Sequence, residues 1–209
     1  MGKINFTNLN PSPELSYIIG AVLGDGHIGI YKRCHEVYFV NTDIDLLNNY
    51  NNYVEKIVGR KYSIILNRKL PNRKPLYRIR FGSKNLYYLI KGGIKNFKFI
   101  IEMYPADFVR GFADSEGCVT HVNYKAKEGI HHYPRIQITN KNLKLLKYIK
   151  NLIKNVFGII SFIRHRHTRN IDDLLITRKE SIMKFKDNIG FYSIPKQNKL
   201  EVFCNSWTR

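Results

Sequence analysis

Two nine-residue segments of this chain share one pattern, and this repeat constrains the fold more than any other feature. Residues 18–26 read IIGAVLGDG and residues 109–117 read VRGFADSEG. Both are apolar and rich in small residues, and both end in an acidic residue followed by Gly. A pattern that recurs after about half a chain indicates a duplicated structural unit. We therefore expect two related halves within the 209 residues.

The pattern of predicted elements that follows each segment is also repeated. In the first half, a strand at 37–41 leads to an amphipathic helix closed by Gly59, a hairpin around a turn at 71–75 and a short helix. In the second half, two strand patterns precede a helix closed by Gly158, another hairpin and a last helix. The order predicts an α+β fold of two αββαββα halves, residues 1–101 and 102–209, which pack as one pseudo-dimeric unit joined by a short linker within 94–107.

The repeated segment itself is predicted to be a helix that packs against its own second copy. In the first copy, Ser12 is placed to begin the helix. Gly20 and Gly24 are four residues apart and share a helix face, and Gly111 and Ser115 hold the same places in the second copy. Small residues at this spacing let two helix backbones approach closely. We expect these four residues to form the interface between the two helices.

The acids at the ends of the two segments predict a cation site. Each helix is expected to stop at the following glycine, Gly26 or Gly117, in the left-handed conformation. Asp25 and Glu116 then lie at the negative ends of the helices, which disfavours a carboxylate by about 0.3–1 kcal/mol, and they also repel each other. A hard divalent ion with oxygen ligands would offset both effects. The alternative is a pair of ordinary core helices whose acids face solvent.

The charge of the chain predicts a polyanionic partner. Lys and Arg number 35 against 16 Asp and Glu, a formal net charge of +19. Nucleic acid is favoured over a membrane surface, because the sequence has no basic amphipathic helix and no apolar run of about 18 residues. Cys34, Cys118 and Cys204 lack the spacing of a metal site, and the N-terminal residues do not read as a secretory signal. We therefore expect an intracellular protein with free thiols.

With these motifs, the chain resembles the LAGLIDADG homing endonuclease family in its single-chain, two-motif form. The motif copies are the two segments at 18–26 and 109–117, and the repeated pattern covers nearly the whole chain. The resemblance implies a monomer in which each half lends a four-stranded antiparallel sheet to a saddle over double-stranded DNA. It also implies hydrolysis of both strands of a long target across the minor groove, leaving 3′ overhangs, in the cytoplasm of an archaeon or bacterium or in an organelle.

The resemblance also implies roles for the motif residues. Asp25 and Glu116 match the catalytic acids that bind the metal, and the backbone carbonyls of Gly24 and Ser115 match further ligands. The implied cofactor is Mg²⁺, for which Mn²⁺ or Ca²⁺ can substitute. Water activation and stabilisation of the phosphate and the leaving oxygen are the chemistry that such an ion supplies.

Family members often have Gln or Lys where the first strand pair of each half meets its helix. Those places are near Thr42 and Asp43 in the first half and near Asn140 and Lys141 in the second. Lys141 fits a catalytic basic residue that polarises water or steadies the phosphate, or it is a solvated lysine at a helix start. Asp43 does not fit the pattern, so the two half-sites are expected to differ in rate.

Basic and amide residues alternate along the predicted strands and cluster at the hairpin tips. Alternate residues of a strand share one face, and Arg and Gln on that face suit guanine and adenine, whereas Lys at a tip suits phosphate. The residues expected to contact DNA are Tyr31, Lys32, Arg33, Arg68, Lys69, Arg73, Lys74, Arg78, Arg80, Arg135, Gln137, Thr139, Arg164, Arg166, Arg169 and Arg178.

Two rival functions share this fold. One is an RNA-binding maturase that assists intron splicing, and the other is a DNA-binding regulator without catalysis. Both motif acids are intact, which favours cleavage. An intein is disfavoured because the chain ends lack splicing residues, so an intron-encoded enzyme is expected. The pairs His165/His167 and His131/His132 lack companion ligands at zinc spacing, which disfavours zinc.

Overall fold

The computed structural model describes residues 9–126 and 129–207, with the side chains of 122–126 and 129–132 left out of the description. The chain forms two compact units, Met1–Ser115 and Glu116–Arg209. Each unit contains one four-stranded antiparallel sheet with helices, so the predicted α+β class and the repeated sheets are confirmed. The border between the halves at residues 101 and 102 stays a prediction.

The first unit is built on a sheet of order β1-β2-β4-β3. Its elements are α1 (Pro13–Asp25), β1 (Gly26–Tyr31), β2 (Cys34–Asn41), α2 (Ile44–Val58), β3 (Ile65–Arg68), β4 (Leu76–Gly82), α3 (Lys84–Lys91), α4 (Ile94–Met103) and α5 (Pro105–Glu116). The last helix belongs to this unit up to Ser115.

One face of this sheet is buried against helices. Alternate strand residues Val37, Phe39, Ile79 and Phe81 are almost completely inaccessible to solvent, as the period of two requires. The ring of Tyr50 from α2 stacks on Phe39 with 4.5 Å between ring centroids. The opposite face therefore remains available for polar and charged side chains.

The ends of α1 and α2 test the predicted helix boundaries. The Ser12 side chain accepts a hydrogen bond of 3.1 Å from the Leu15 amide, and Gly59 ends α2 in the left-handed conformation, so both predictions are confirmed. The predicted left-handed Gly26 is wrong, because its φ is −91° and it begins β1. The same prediction for Gly117 is wrong too, because Gly117 begins β5 and is not among the described glycines with positive φ. A Cβ atom at Gly26 would lie 2.3 Å from the Val22 Cα, so close packing requires the glycine there.

The second unit repeats this order on a sheet of order β5-β6-β8-β7. Its elements are β5 (Gly117–Ala126), β6 (Gly129–Asn140), α6 (Leu143–Phe157), β7 (Phe162–Arg166), β8 (Ile171–Ile176), α7 (Lys179–Asn188) and α8 (Ile194–Asn205). Ile136, Ile138, Leu174 and Ile176 form the buried face of the sheet, over which α6 packs. Gly158 ends α6 with φ +64°, as predicted.

Two helices were not predicted. Helix α4 occupies residues that were expected to form a linker, and it buries Phe97, Ile100 and Ile101 at helical spacing. Helix α8 buries Leu200 and Cys204, which are one turn apart. Each repeat therefore carries one more helix than the predicted order.

None of the helices in the described part of the chain has the length and apolar character needed to cross a membrane.

Candidate active site and nucleic-acid interface

The two motif helices α1 and α5 approach each other at two glycines. A Cβ atom at Gly20 would lie 2.2 Å from the carbonyl oxygen of Phe108. A Cβ atom at Gly111 would lie 2.2 Å from the carbonyl oxygen of Tyr17. Since the obstructing atoms are backbone on both sides, neither position accepts a side chain unless the helices separate.

Hydrogen bonds between side chains and the facing helix hold this contact in register. The Tyr17 hydroxyl donates 2.9 Å to Oδ2 of Asp114, and both residues are buried. The Ser115 hydroxyl lies 3.2 Å from two carbonyl oxygens, those of Ala21 and Gly111. Sequence reasoning missed the Tyr17–Asp114 pair, because 97 residues separate its members and neither lies at a motif end.

The first motif acid, Asp25, is the last residue of α1 and is held by an asparagine. Nδ2 of Asn41, at the end of β2, donates to Oδ2 of Asp25 at 3.3 Å. The amide oxygen of Asn41 accepts from the backbone N–H of Asp43 at 3.0 Å. This second bond fixes which end of the amide faces Asp25, because only its NH₂ group is left to donate.

The second unit repeats this construction around Glu116. Nδ2 of Asn140, at the end of β6, donates to Oε1 of Glu116 at 2.7 Å. The amide oxygen of Asn140 accepts from the N–H of Asn142 at 2.8 Å. Sequence reasoning did not assign Asn41 or Asn140 this role. The available signal was that an asparagine lies two residues before the helix-capping residue, Asp43 or Asn142, in both halves.

The helix starts define how the two halves correspond. Asp43 caps α2 by accepting from the Leu46 amide at 3.2 Å, and Asn142 caps α6 by accepting from Leu145 at 3.1 Å. Asp43 therefore serves as a helix cap, as Asn142 does, and the counterpart of Lys141 is Thr42. Lys141 has an exposed side chain. The expected difference in cleavage rate between the two half-sites stays a prediction. It now rests on Thr42 in the first half, where the second half has Lys141.

On the first sheet, Arg78 and Arg80 lie on the face opposite the core. This face also carries His27, whose ring stacks on Tyr38 at 4.8 Å, and Glu36, which is 3.7 Å from Arg80. These side chains line a hollow of about 260 Å³. Nε of Arg78 is buried and has no hydrogen-bond partner among the described residues. This nitrogen is therefore an unsatisfied buried donor beneath the hollow.

The β1–β2 turn places Tyr31, Lys32 and Arg33 at an exposed tip. Both residues of the two-residue turn are left-handed, with φ of 46° for Lys32 and 68° for Arg33. This is the geometry in which Asn-Gly is favoured, and other residues are strained. The Lys32 ammonium lies 5.5 Å from the centroid of the Tyr31 ring. Lys32 and Arg33 therefore lie at positions whose left-handed backbone disfavours both residues.

The β3–β4 turn gathers the remaining basic residues predicted in the first half. Arg68, Arg73 and Lys74 line a hollow of about 270 Å³ together with Thr42. Lys69 is exposed in the same turn. The sequence-predicted contacts of this unit therefore lie in three places: the open sheet face and two hairpin tips.

On the second sheet, one buried carboxylate organises four of the residues predicted to contact DNA. Oδ2 of Asp173 accepts from Arg164 at 2.8 Å and from Arg166 at 2.5 Å. Oδ1 accepts from Gln137 at 3.1 Å and from Thr139 at 2.7 Å. Sequence reasoning missed Asp173.

The electrostatics of this cluster favour the charged form of Asp173. Burial alone would raise the pKa of its carboxyl group, but hydrogen bonds from Arg166, Arg164 and Thr139 outweigh burial and lower the pKa. Burial, reinforced by the nearby charge of Arg164, lowers the pKa of Arg135. Nε of Arg135 is buried and has no hydrogen-bond partner in the described part of the chain.

The other two predicted contacts of the second unit lie outside this cluster. Arg169 is exposed in the β7–β8 turn, and Arg178 is exposed at the start of α7. The cluster therefore involves Arg135, Arg164 and Arg166 but neither of these two arginines.

The histidines considered as zinc ligands have other contacts or lie outside the description. Nδ1 of His165 is 2.9 Å from Oδ1 of Asp172, and its ring contacts His167 at 4.6 Å. The side chains of His131 and His132 are among those not described. Within the described residues, no three His, Cys, Asp or Glu side chains are grouped so as to hold a metal.

Comparison with known proteins identifies the family. The model of the LAGLIDADG-like domain matches residues 103–190. The uncharacterized protein MJ0398 of Methanocaldococcus jannaschii is 32% identical over 221 residues, which span 98% of this chain and 76% of that protein. This chain belongs to the LAGLIDADG family.

Solved LAGLIDADG structures share the fold. Variants of the homing endonuclease I-DmoI superpose with a TM-score of 0.67 at 21% identity, over 92% of this chain and 99% of theirs. The I-LtrWI LAGLIDADG homing endonuclease bound to target DNA superposes with a TM-score of 0.63 at 13% identity, over 95% of this chain and 92% of that one. Further I-DmoI structures contain DNA with Mn or with Ca.

Proposed function

We propose that this chain is a site-specific homing endonuclease that hydrolyses double-stranded DNA with the help of a divalent metal ion. The observation that carries the proposal is the repeated support of the motif acids. Asp25 is held by Asn41 and Glu116 by Asn140, in units that otherwise have different side chains on their open sheet faces. An interaction that both copies of a diverged repeat share is expected where both carboxylates take part in the function.

The donor set fits a hard divalent cation. Each motif ends in a carboxylate, that of Asp25 or that of Glu116, whose oxygens are ligands that such ions prefer. The last carbonyls of each motif helix, which include that of Gly24 or that of Ser115, lack helical donors. When bound, Mg²⁺ supplies Lewis-acid polarisation and lowers the pKa of water. The chain's own residues orient the acids: the Asn41 amide donates to one carboxylate oxygen of Asp25, and the Asn140 amide donates to one of Glu116. Lys141 is proposed to steady the scissile phosphate.

The open sheet faces and hairpin tips are proposed to bind the DNA. The arginines on the faces opposite the core, Arg78 and Arg80 on the first sheet and Arg164 and Arg166 on the second, support this proposal. The strained turn supports it further, because Lys32 and Arg33 are kept where Asn-Gly would be less costly. I-DmoI and I-LtrWI, which share the fold, have been solved with bound DNA. Polyanion binding also accounts for the net charge of +19.

The finer details of the reaction complete the proposal. Both strands are cut across the minor groove, leaving 3′ overhangs, by a single chain that acts as a monomer. Mg²⁺ is the cofactor, with Mn²⁺ or Ca²⁺ able to occupy its place. The enzyme is intron-encoded and works inside the cell.

The test is cleavage of DNA drawn from a randomised duplex library. The wild-type chain is incubated with Mg²⁺ or with EDTA, and cut ends are sequenced. We expect metal-dependent double-strand cuts at one family of sequences, with 3′ overhangs. Asp25→Asn and Glu116→Gln are expected to abolish cutting while leaving affinity for the selected duplex within about threefold, because neither change removes a cation that binds phosphate.

Asp45→Asn is the matched control, since it neutralises an exposed acid of the same unit on the first turn of α2. It should cut like the wild type. Tight binding of duplex DNA without cutting under Mg²⁺ or Mn²⁺ would refute the endonuclease and leave a DNA-binding regulator. Selective binding of structured RNA with no binding of duplex DNA would refute it in favour of a maturase.

A further inference from the structure

The two sheets differ in charge at one corresponding position. In the first sheet, Asn41 pairs with Tyr77 and the next strand pair is Val40–Arg78. In the second sheet, Asn140 pairs with Asp172 and the next strand pair is Thr139–Asp173. Arg78 and Asp173 therefore occupy the same place in the repeat. A carboxylate on a face proposed to meet a polyanion is unfavourable by itself, so Asp173 requires a separate explanation.

The carboxylate of Asp173 is fully engaged by its own neighbours. Its side chain is inaccessible to solvent, and each of its two oxygens accepts two hydrogen bonds. It therefore presents no acceptor to a ligand and repels DNA less than an exposed acid would. Its effect is to hold two arginine side chains, Arg164 and Arg166, in one orientation against the sheet.

The atoms used in these contacts distinguish the two arginines. Arg166 donates through Nε, which leaves both terminal nitrogens of the guanidinium for another partner. Arg164 donates through Nη2, so one of its two terminal nitrogens is already engaged by Asp173. Recognition of guanine O6 and N7 by arginine needs two parallel donors, which the terminal edge of Arg166 offers. Arg166 remains partly exposed, at 28% of its side-chain surface.

We propose that Arg166 reads a guanine in the target and that Asp173 is the positioning residue that fixes its guanidinium for this contact. The inference rests on the proposed DNA-binding function and adds a specificity determinant to it. Gln137 and Thr139 complete the support by saturating the other oxygen of Asp173. Without Asp173, Arg166 keeps its charge but samples several orientations, and a mobile cation contacts phosphate without distinguishing bases.

The experiment compares the sequence preference of variants in EDTA, so that no cutting occurs. Wild type, Asp173→Asn and Arg166→Lys each select from a randomised duplex library, and affinities are then measured for the selected sequence and its single-base variants. We expect the wild type to prefer guanine at one position by about tenfold to a hundredfold. Asp173→Asn and Arg166→Lys should lose preference at that same position and keep it elsewhere. Glu180→Gln removes an exposed carboxylate of the same unit and should change no preference.

The outcomes separate this inference from the proposed function. If the wild type selects no sequence, the proposed function fails and the inference falls with it. If the wild type selects a sequence and Asp173→Asn keeps the same guanine preference, only the inference is overturned. A uniform loss of affinity at all positions would also overturn it, because that marks a general structural role. Should Asp173→Asn fail to fold, Arg166→Lys carries the test, since it leaves the carboxylate in place.

Discussion

The basic tip of the β1–β2 hairpin predicts that one substitution will stabilise the protein and weaken its function. In the double variant Lys32→Asn, Arg33→Gly, both left-handed positions receive residues that accept positive φ. Two left-handed residues other than Gly or Asn cost about 2–4 kcal/mol together. The added backbone freedom of Gly in the unfolded chain reduces the expected stabilisation by up to about 1 kcal/mol. Loss of the cation–π contact between Lys32 and Tyr31 reduces the stabilisation by a further 0.5–1 kcal/mol, roughly.

The net expectation is a free energy of unfolding higher by about 1 kcal/mol, measured by urea denaturation. The same variant should bind its selected DNA more weakly. If both cations contact phosphates, the slope of log affinity against log salt should become shallower by about 2, because each lost phosphate contact removes about 0.9. Measurements of affinity between 50 and 200 mM salt, roughly the range over which such slopes are read, provide the slope.

The matched control is Lys95→Gln, Lys98→Gln, which removes two exposed cations from α4 in the same unit. It should leave the salt slope unchanged apart from a small general effect of net charge. Unchanged affinity and slope in the hairpin variant would refute the assignment of the tip to DNA. A variant that is less stable than the wild type would refute the argument from backbone strain.

Four further predictions concern the motif helices and the Asp173 cluster. Gly111→Ala should lower the free energy of unfolding by about 2 kcal/mol, since overpacking costs about 3 and the better helix propensity of Ala returns about 1. Tyr17→Phe should cost about 1–3 kcal/mol in urea denaturation, because a buried carboxylate loses a donor. Asn41→Ala and Asn140→Ala should each slow cleavage by about tenfold to a hundredfold, with DNA affinity kept, in single-turnover assays. The pKa of Asp173 in the folded chain is lowered. Its stabilising effect is therefore present above the ordinary carboxyl pKa and is lost as the pH falls through the folded value. The difference in unfolding free energy between wild type and Asp173→Asn should accordingly shrink in acid.

The predictions for Gly111, for the two asparagines and for Asp173 each have a control or a result that would contradict them. Gly82→Ala is the control for the helix contact, because a Cβ there meets nothing closer than 3.8 Å, and equal effects at Gly82 and Gly111 would contradict the close-packing argument. Asn48→Ala, on the exposed side of α2, should not slow cleavage. A difference between wild type and Asp173→Asn that grows in acid would mean that the carboxylate is destabilised rather than stabilised by its neighbours.

Much of the fold follows from local sequence signals. Ser12 starts α1, and Gly59 and Gly158 end the two long amphipathic helices, because capping and left-handed glycine are local properties. The strands were predicted from their alternation. Helix α4 was missed although Phe97, Ile100 and Ile101 have helical spacing, since the segment was interpreted as a linker between repeats.

The candidate site was less predictable, because its contacts join residues distant in the chain. Asp173 contacts Gln137, which lies 36 positions away in the chain. The sequence alone does not show which of the adjacent acids, Asp172 or Asp173, faces the arginines. The strand period places Asp172 and Asp173 on opposite faces, but only the pairing register identifies the partners of each. The motif acids were predicted from their position at helix ends. Their asparagine supports were missed because Asn41 and Asn140 lie 16 and 24 positions away from the acids that they contact.

The first compact unit includes most of the second motif helix, since it ends at Ser115 rather than at the border of the sequence repeat. The backbones of α1 and α5 fit each other at Gly20 and Gly111 with no room for a methyl group. A hybrid made by recombining two relatives at the repeat border would therefore join helix surfaces that never evolved together. Functional chimaeras should arise only when both motif helices come from the same parent, so the natural point of exchange lies after the second motif.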